Sequence, residues 1–232
     1  MRGRLAATLL IFAAWDARAR DAHGPWERVS DDEGIVVDRR EAPGSALKEF
    51  RGRALIDAPI ARLLAVLDDV ARRTEWMSRN VESRLLERES GRDVVYLRTD
   101  APWPVADRDM VIEGRLIADP AGHAIRIELR GVAHPKEPPR AQTVRITSLR
   151  GHWLLVSDRG GAATRVEYQV FADPGGSLPA WLSNLASKRL PRDTLAGLRR
   201  QVKRASYPER ERELVESPDL RAVLALEPEL AR

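Results

Sequence analysis

The chain has 232 residues, 39 of them basic and 35 acidic, for a formal charge of +4, and 43% of its residues are apolar. One domain of this length with this much apolar material packs a core, which excludes general disorder, and so small and dispersed a positive excess is no footprint for nucleic acid. The absence of cysteine excludes disulfides, thiolate metal sites and a cysteine nucleophile.

Residues 1–19 read as a secretory signal. Arg2 and Arg4 form a basic start, a mostly apolar run extends from Leu5 to Trp15, and Ala17-Arg18-Ala19 offers small residues where a signal peptidase inspects the chain. The run is shorter than the roughly 20 residues a bilayer span needs. Cleavage and export to a periplasm are therefore expected, which leaves a domain over 20–204 and a charged tail over 205–232 with one short helix around 218–226.

From Trp26 onward the pattern has a period of two. Phe50, Gly52, Ala54 and Ile56 alternate with Arg51, Arg53 and Leu55. Ile125, Ile127 and Leu129 alternate with Arg126, Glu128 and Arg130, and Val166, Tyr168 and Val170 with Arg165, Glu167 and Gln169. Each predicts a half-buried strand with one wet face. Further strands are expected near 27–31, 35–41, 83–90, 92–100, 108–118 and 143–157. Turn signals such as Asp32-Glu33-Gly34 and Ser90-Gly91-Arg92 join them as hairpins, so the sheet should be antiparallel.

Two segments break the rhythm. In 58–79, Asp57 is placed to cap a helix opened by Pro59, with Ile60, Leu63, Leu64 and Leu67 at helical spacing; a second short helix is expected from Val70 to Met77. In 177–204, Ser177 and Pro179 open a long helix with Leu178, Trp181, Leu182, Leu185, Leu195, Leu198 and Val202 on its apolar stripe, and Pro191 should kink or split it. Strands in series followed by one long helix predict an α+β fold in which the sheet's apolar face is covered by that helix.

Most catalytic signatures are missing: there is no Gly-x-Ser-x-Gly elbow, no phosphate-binding Gly-x-x-x-x-Gly-Lys loop and no His-Glu-x-x-His, and the four histidines are scattered. No metal or cofactor is expected. The aromatic residues Trp76, Trp103, Trp153 and Trp181, with Tyr96 and Tyr168, suit either a core or the walls of an apolar pocket. Arg108, between Asp107 and Asp109, is either a structural ion pair or a polar anchor in such a pocket. Gly175-Gly176 with Pro179 forms a loop that serves as a plain connection or as the edge of an entrance.

Glu75-Trp76-Met77 followed by Asn80-Val81, the stretch from Pro104 to Val111 with Arg108-Asp109, and Gly175-Gly176-Ser177-Leu178-Pro179-Ala180-Trp181-Leu182-Ser183-Asn184 together resemble the START (steroidogenic acute regulatory protein-related lipid-transfer) domain family in its bacterial form, over roughly 26–203. The resemblance implies a helix-grip fold: a curved antiparallel sheet wrapped on a long C-terminal helix, with a deep apolar cavity for one lipid or sterol-like molecule. It also implies that Trp181, Leu182 and Leu185 roof the cavity and that Gly175-Gly176 stands near its entrance.

The expectation is thus an exported, monomeric carrier of a hydrophobic small molecule that touches a membrane surface transiently through the basic face of its last helix (Lys188, Arg189, Arg192, Arg199, Arg200, Lys203, Arg204). The alternative is an enzyme of the same fold, cyclase- or hydrolase-like, with Asp107, Arg108, Glu113 and Glu128 as acid–base groups. Gly52, Ala54 and Gly114 among the inward positions favour an open cavity over one filled by side chains.

Overall fold

The structure is a computed structural model that describes residues 24–224, apart from residues 177 and 179 and the side chains of 180–187. The expected signal over 1–19, the Ser177 cap and the last part of the tail lie outside the described residues.

Strands β1 (Glu27–Asp32), β2 (Ile35–Glu41) and β3 (Lys48–Ile56) lead into helix α1 (Ile60–Asp68) and a 3-10 turn (Ala71–Glu75). Then come β4 (Asn80–Glu89), β5 (Arg92–Thr99), β6 (Asp107–Asp119), β7 (Ala124–Gly131), β8 (Thr143–Arg145), β9 (Leu149–Asp158) and β10 (Ala163–Ala172). Helices α2 (Ala180–Arg204), α3 (Pro208–Glu216) and α4 (Pro218–Leu224) close the described chain. The ten strands form one curved sheet, nine of them in the order β1-β2-β3-β10-β9-β7-β6-β5-β4 and the tenth, β8, paired with β6 off that path. Every pairing along that path is antiparallel, as the hairpin turns predict.

The single strand expected over 143–157 is two. Thr143–Arg145 pairs in parallel with Asp107–Asp109 of β6, and Leu149–Asp158 pairs with β7 and β10. The long β6 makes this possible: its first residues take β8 on one edge, and from Ile112 onward the same edge takes β7.

Helix α1 forms where the spacing of Ile60, Leu63, Leu64 and Leu67 predicts it, and all four are buried. Its N-cap is Pro59 rather than Asp57, whose carboxylate instead accepts a hydrogen bond from Arg159 at 2.8 Å. The helix expected from Val70 to Met77 is tightened to the 3-10 turn.

Helix α2 grips the sheet through Leu195, Leu198 and Val202, all buried in the main core. Pro191 does not split it; a single helix runs from Ala180 to Arg204. The proline ring packs on Gly52 of β3. A Cβ added at Gly52 would stand 2.9 Å from Pro191 Cβ and 2.8 Å from Leu195 Cδ1. Gly52 is therefore the close-approach point of helix and sheet, and its small size does not open the cavity as the sequence reading expected.

Where one short helix was expected around 218–226, residues 208–224 hold two. Leu214, Leu220, Val223 and Leu224 belong to the main core. Glu211 ties α3 to α1 by accepting from Arg62 at 3.1 Å, and the Tyr207 hydroxyl donates to Asp69 at 2.9 Å.

The face of the sheet turned away from α2 is not simply wet. Arg40 and Glu49 pair at 2.6 Å with both side chains buried, Arg51 and Arg53 reach Asp38 at 3.0 and 2.7 Å, and Arg145 engages Asp109 with two bonds of 2.9 Å. Buried charges are tolerated in pairs of this kind. His152 shows how closely the groups are matched. Arg126 donates to its Nδ1 at 3.0 Å, and arginine has no acceptor, so Nε2 carries the proton and donates to Glu167 at 3.0 Å.

Candidate ligand cavity

Between the sheet and the helices lies a cavity of about 740 Å³, within the roughly 300–1,000 Å³ range of small-molecule sites. Strand alternation builds its walls. Val95 and Leu97 of β5, and Met110 and Ile112 of β6, turn toward the cavity, while their neighbours Val94, Tyr96 and Val111 cluster on the opposite face. Leu64 and Leu67 of α1 and Leu190 of α2 supply apolar surface across from the sheet. One end is rimmed by Ala101, Pro102, Val105, Pro174 and Leu178, the other by the β4–β5 turn at Ser90-Gly91 and by α3 and α4.

The residues singled out from sequence divide by strand parity and position. Trp153 and Tyr168 line the cavity and stack on each other, with ring centroids 4.2 Å apart at 18°. Burial pushes the Tyr168 phenol up to about 12. Trp76 lies behind this pair in the core, edge-on to Trp153 at 6.4 Å. Tyr96 is on the wrong side of β5 to face the cavity: its hydroxyl points to Asp109 at 3.4 Å, and Arg84 and Arg140 lie over its ring. Trp103 is not a wall residue; it is 93% exposed, at the tip of the loop whose base rims the cavity. The side chains of Trp181, Leu182 and Leu185, and all of Pro179, lie outside the described residues. Gly175 and Gly176 sit in left-handed conformations (φ +63° and +70°), between the rim residues Pro174 and Leu178.

Arg108 does not form the ion pair its neighbours invite. Asp107 accepts from Arg98 at 2.7 Å and Asp109 is held by Arg145, both on the far face. Arg108 faces the cavity and donates to two backbone carbonyls, Ala106 and, at 3.4 Å, Pro174. It thus straps the β10–α2 loop to β6, and burial pulls its pKa below the ordinary arginine value. The four acid–base candidates do not converge. Glu113 is held by Arg92 and Arg115, Glu128 by Arg126, and of the four only Arg108 lines the cavity.

Two polar wall residues escaped the sequence reading. Arg73, on the 3-10 turn, lines the cavity; its Nη2 donates to the Leu67 carbonyl at 2.8 Å, and its buried Nε has no partner. Asn80, at the start of β4, is buried with both side-chain amide atoms unpartnered. In the sequence Arg73 is one of many surface-like arginines, and only its position after an apolar helix and before Trp76 sets it apart. Of the basic face expected on the last helix, Arg192 is tied to Asp32 and Arg199 to the Glu33 carbonyl, whereas Lys188 and Arg189 are exposed two residues and one residue before the lining residue Leu190. Among the described residues no cluster of side chains could hold a metal ion, and no helix is long and apolar enough to cross a membrane.

A curved antiparallel sheet closed by a C-terminal helix over an apolar cavity defines the helix-grip class. The family model described as START domain matches residues 17–208, and the chain belongs to that family. The crystal structure of a STAR-related lipid transfer protein from Xanthomonas axonopodis is 36% identical, covers 78% of this chain and 99% of its own, and superposes with a TM-score of 0.70. An uncharacterized protein of Pseudomonas aeruginosa is 34% identical over 86% of this chain and 97% of its own length. The phosphatidylcholine transfer protein of Bos taurus is 29% identical over 70% of this chain and 77% of its own.

Proposed function

We propose that this protein is an exported carrier that holds one lipid-like molecule at a time in the cavity between its sheet and helices. The observation that carries the reading is the cavity of about 740 Å³, walled by aliphatic strand residues and the Trp153–Tyr168 stack. Removing apolar ligand surface from water contributes about 25 cal/mol per Å², so such walls hold an acyl chain or ring system without covalent chemistry. Kinship with a lipid transfer protein of Xanthomonas axonopodis and a phosphatidylcholine transfer protein of Bos taurus supports transfer as the activity. The basic start, apolar run and Ala17-Arg18-Ala19 support export to the periplasm.

Loading from a bilayer requires a docking face beside the rim. Trp103, at the tip of a loop rimming the cavity, is an amphipathic ring suited to the headgroup zone, and the exposed Lys188 and Arg189 suit an anionic surface.

The test is native mass spectrometry of the protein purified without detergent, with solvent extraction of the same sample. A hydrophobic species at one per chain is expected. A protein that arrives empty and takes up nothing from a panel of phospholipids, fatty acids and sterols would overturn the carrier reading.

A further inference from the structure

Helices α3 and α4 do more than extend the core: they close one end of the cavity, and the inference drawn from this rests on the carrier reading. The match to the family ends at residue 208, so α4 and all but the first residue of α3 lie beyond it. The family pattern therefore does not dictate what stands at this end. Leu214, Ser217 and Leu220 line the cavity there, opposite the rim at Pro174. Leu214 and Leu220 are buried, and they belong to the main core with Leu64 and Leu67 of α1, which line the same space.

This end wall is fixed in position. Val223 and Leu224, one turn beyond Leu220, are buried in the core without lining the cavity, and they anchor α4. Helix α3 is tied back to α1 and the residue after it: Glu211 accepts from Arg62, Arg210 donates to Asp68 at 2.8 Å, and the N-cap residue Tyr207 donates to Asp69. Much of the remaining lining at this end is paired charge. Asp68 engages both Arg210 and Arg88, and Arg88 also reaches Asp93. A methylene pushed past the leucines would desolvate these groups without offering them a partner, so the apolar space ends at Leu214 and Leu220.

We propose that the end wall formed by Leu214, Ser217 and Leu220 is a ruler, by which the appended helix pair sets the longest acyl chain the carrier loads. A chain drawn from a bilayer leaves one apolar medium for another, so a methylene that fits changes the loading little. A methylene that finds no room is left in water, and each one costs about fourfold in loading, the value of one buried CH₂. The limit is therefore steep, and it moves with the side chains of the end wall.

The experiment is loading of the full chain from mixed vesicles. Delipidated protein is incubated with vesicles holding equal parts of phosphatidylcholines that share one head group and differ only in their two equal acyl chains, from decanoyl to stearoyl. The bound species are read by native mass spectrometry. Loading is expected to be even up to a limiting length and then to fall about fourfold per further methylene. Leu220→Ala removes an isopropyl group from the wall and should raise the limit by about one to three carbons; Ser217→Phe fills the same end and should lower it by a similar amount. Met110→Ala opens space on β6 two residues from Arg108, at the Pro174 end, and should leave the limit where it was. A limit that is the same in Leu220→Ala and Ser217→Phe as in the unmodified protein would overturn the proposal. An equal rise in Met110→Ala would make total volume the determinant and overturn it as well. Even loading at every length would overturn the ruler and leave the carrier reading standing, whereas loading at no length would overturn the carrier reading itself. Should Leu220→Ala fail to fold, Ser217→Phe, at a half-buried position, still decides the question.

Discussion

Gly197 of α2 lies against the backbone carbonyl of Trp76: a Cβ added there would stand 1.9 Å from that oxygen. Helix and 3-10 turn meet backbone to backbone at this point, and only a residue without a side chain permits it. Gly197→Ala should therefore destabilise the fold by about 3 kcal/mol, the upper part of the range for overpacked sites, and lower the thermal midpoint by several degrees. A midpoint equal to that of the unmodified protein would show that the two segments are not held this closely in solution.

Gly114 of β6 presents the opposite case. It lines the cavity, and a Cβ there would meet Ile127 and Leu129 at ordinary contact distances of 3.6 and 3.8 Å. Gly114→Leu should extend a side chain into the ligand's space. The expected result is lipid occupancy reduced about tenfold at constant lipid concentration, roughly the loss from one buried aliphatic group, with an unchanged or higher thermal midpoint. Unchanged occupancy would mean that the ligand sits elsewhere.

Trp103→Ala removes the exposed ring from the rim loop without touching the core, so the thermal midpoint should stay within a degree or so, as for a surface substitution. Transfer of lipid between vesicles should slow several-fold, and cosedimentation with anionic vesicles should weaken. Full transfer rates in this variant would exclude the loop from docking.

Acid should destabilise the protein through its paired carboxylates. Hydrogen bonds from Arg115 and Arg92 hold Glu113 down to about 2, against an ordinary value of 4.5. Burial pushes Asp109 up, but its pair with Arg145 more than offsets this and keeps it below the usual value. A carboxylate whose folded value is lowered contributes its stability above the unfolded value and loses it as pH falls through the folded one. The urea midpoint should thus be level down to about pH 5, then fall between about 4.5 and 2. Glu113→Gln should start from a lower midpoint and lose less over that window.

Strand period and turn chemistry made most of the sheet legible, because alternation such as Ile125, Ile127 and Leu129 allows only one face inward. The family resemblance supplied the long-range arrangement that local patterns lack. The site was less legible, for two reasons. Parity within an all-apolar run such as Val94-Val95-Tyr96-Leu97 cannot be read locally, so Tyr96 was assigned to the cavity although it faces away. The partners of a charge are set in three dimensions: the sequence offers Arg108 two adjacent aspartates, yet alternation sends both to the other face. Arg73 was missed for the same reason, since nothing beside it in the chain records that its neighbours in space are leucines and a tyrosine. The charge run of 209–213 masked the apolar stripe of α3 and α4, which was read as part of a tail.

That stripe has a kinetic consequence. Arg62 and Glu211, which join the first helix to the third, are 149 residues apart in the chain. One wall of the cavity therefore forms only when nearly the whole polypeptide is available, and contacts of such long range slow folding. Until then the nascent chain displays an open apolar trough, so the interval before closure, rather than the folded molecule, is when this protein is most exposed to aggregation and most in need of a chaperone's hold.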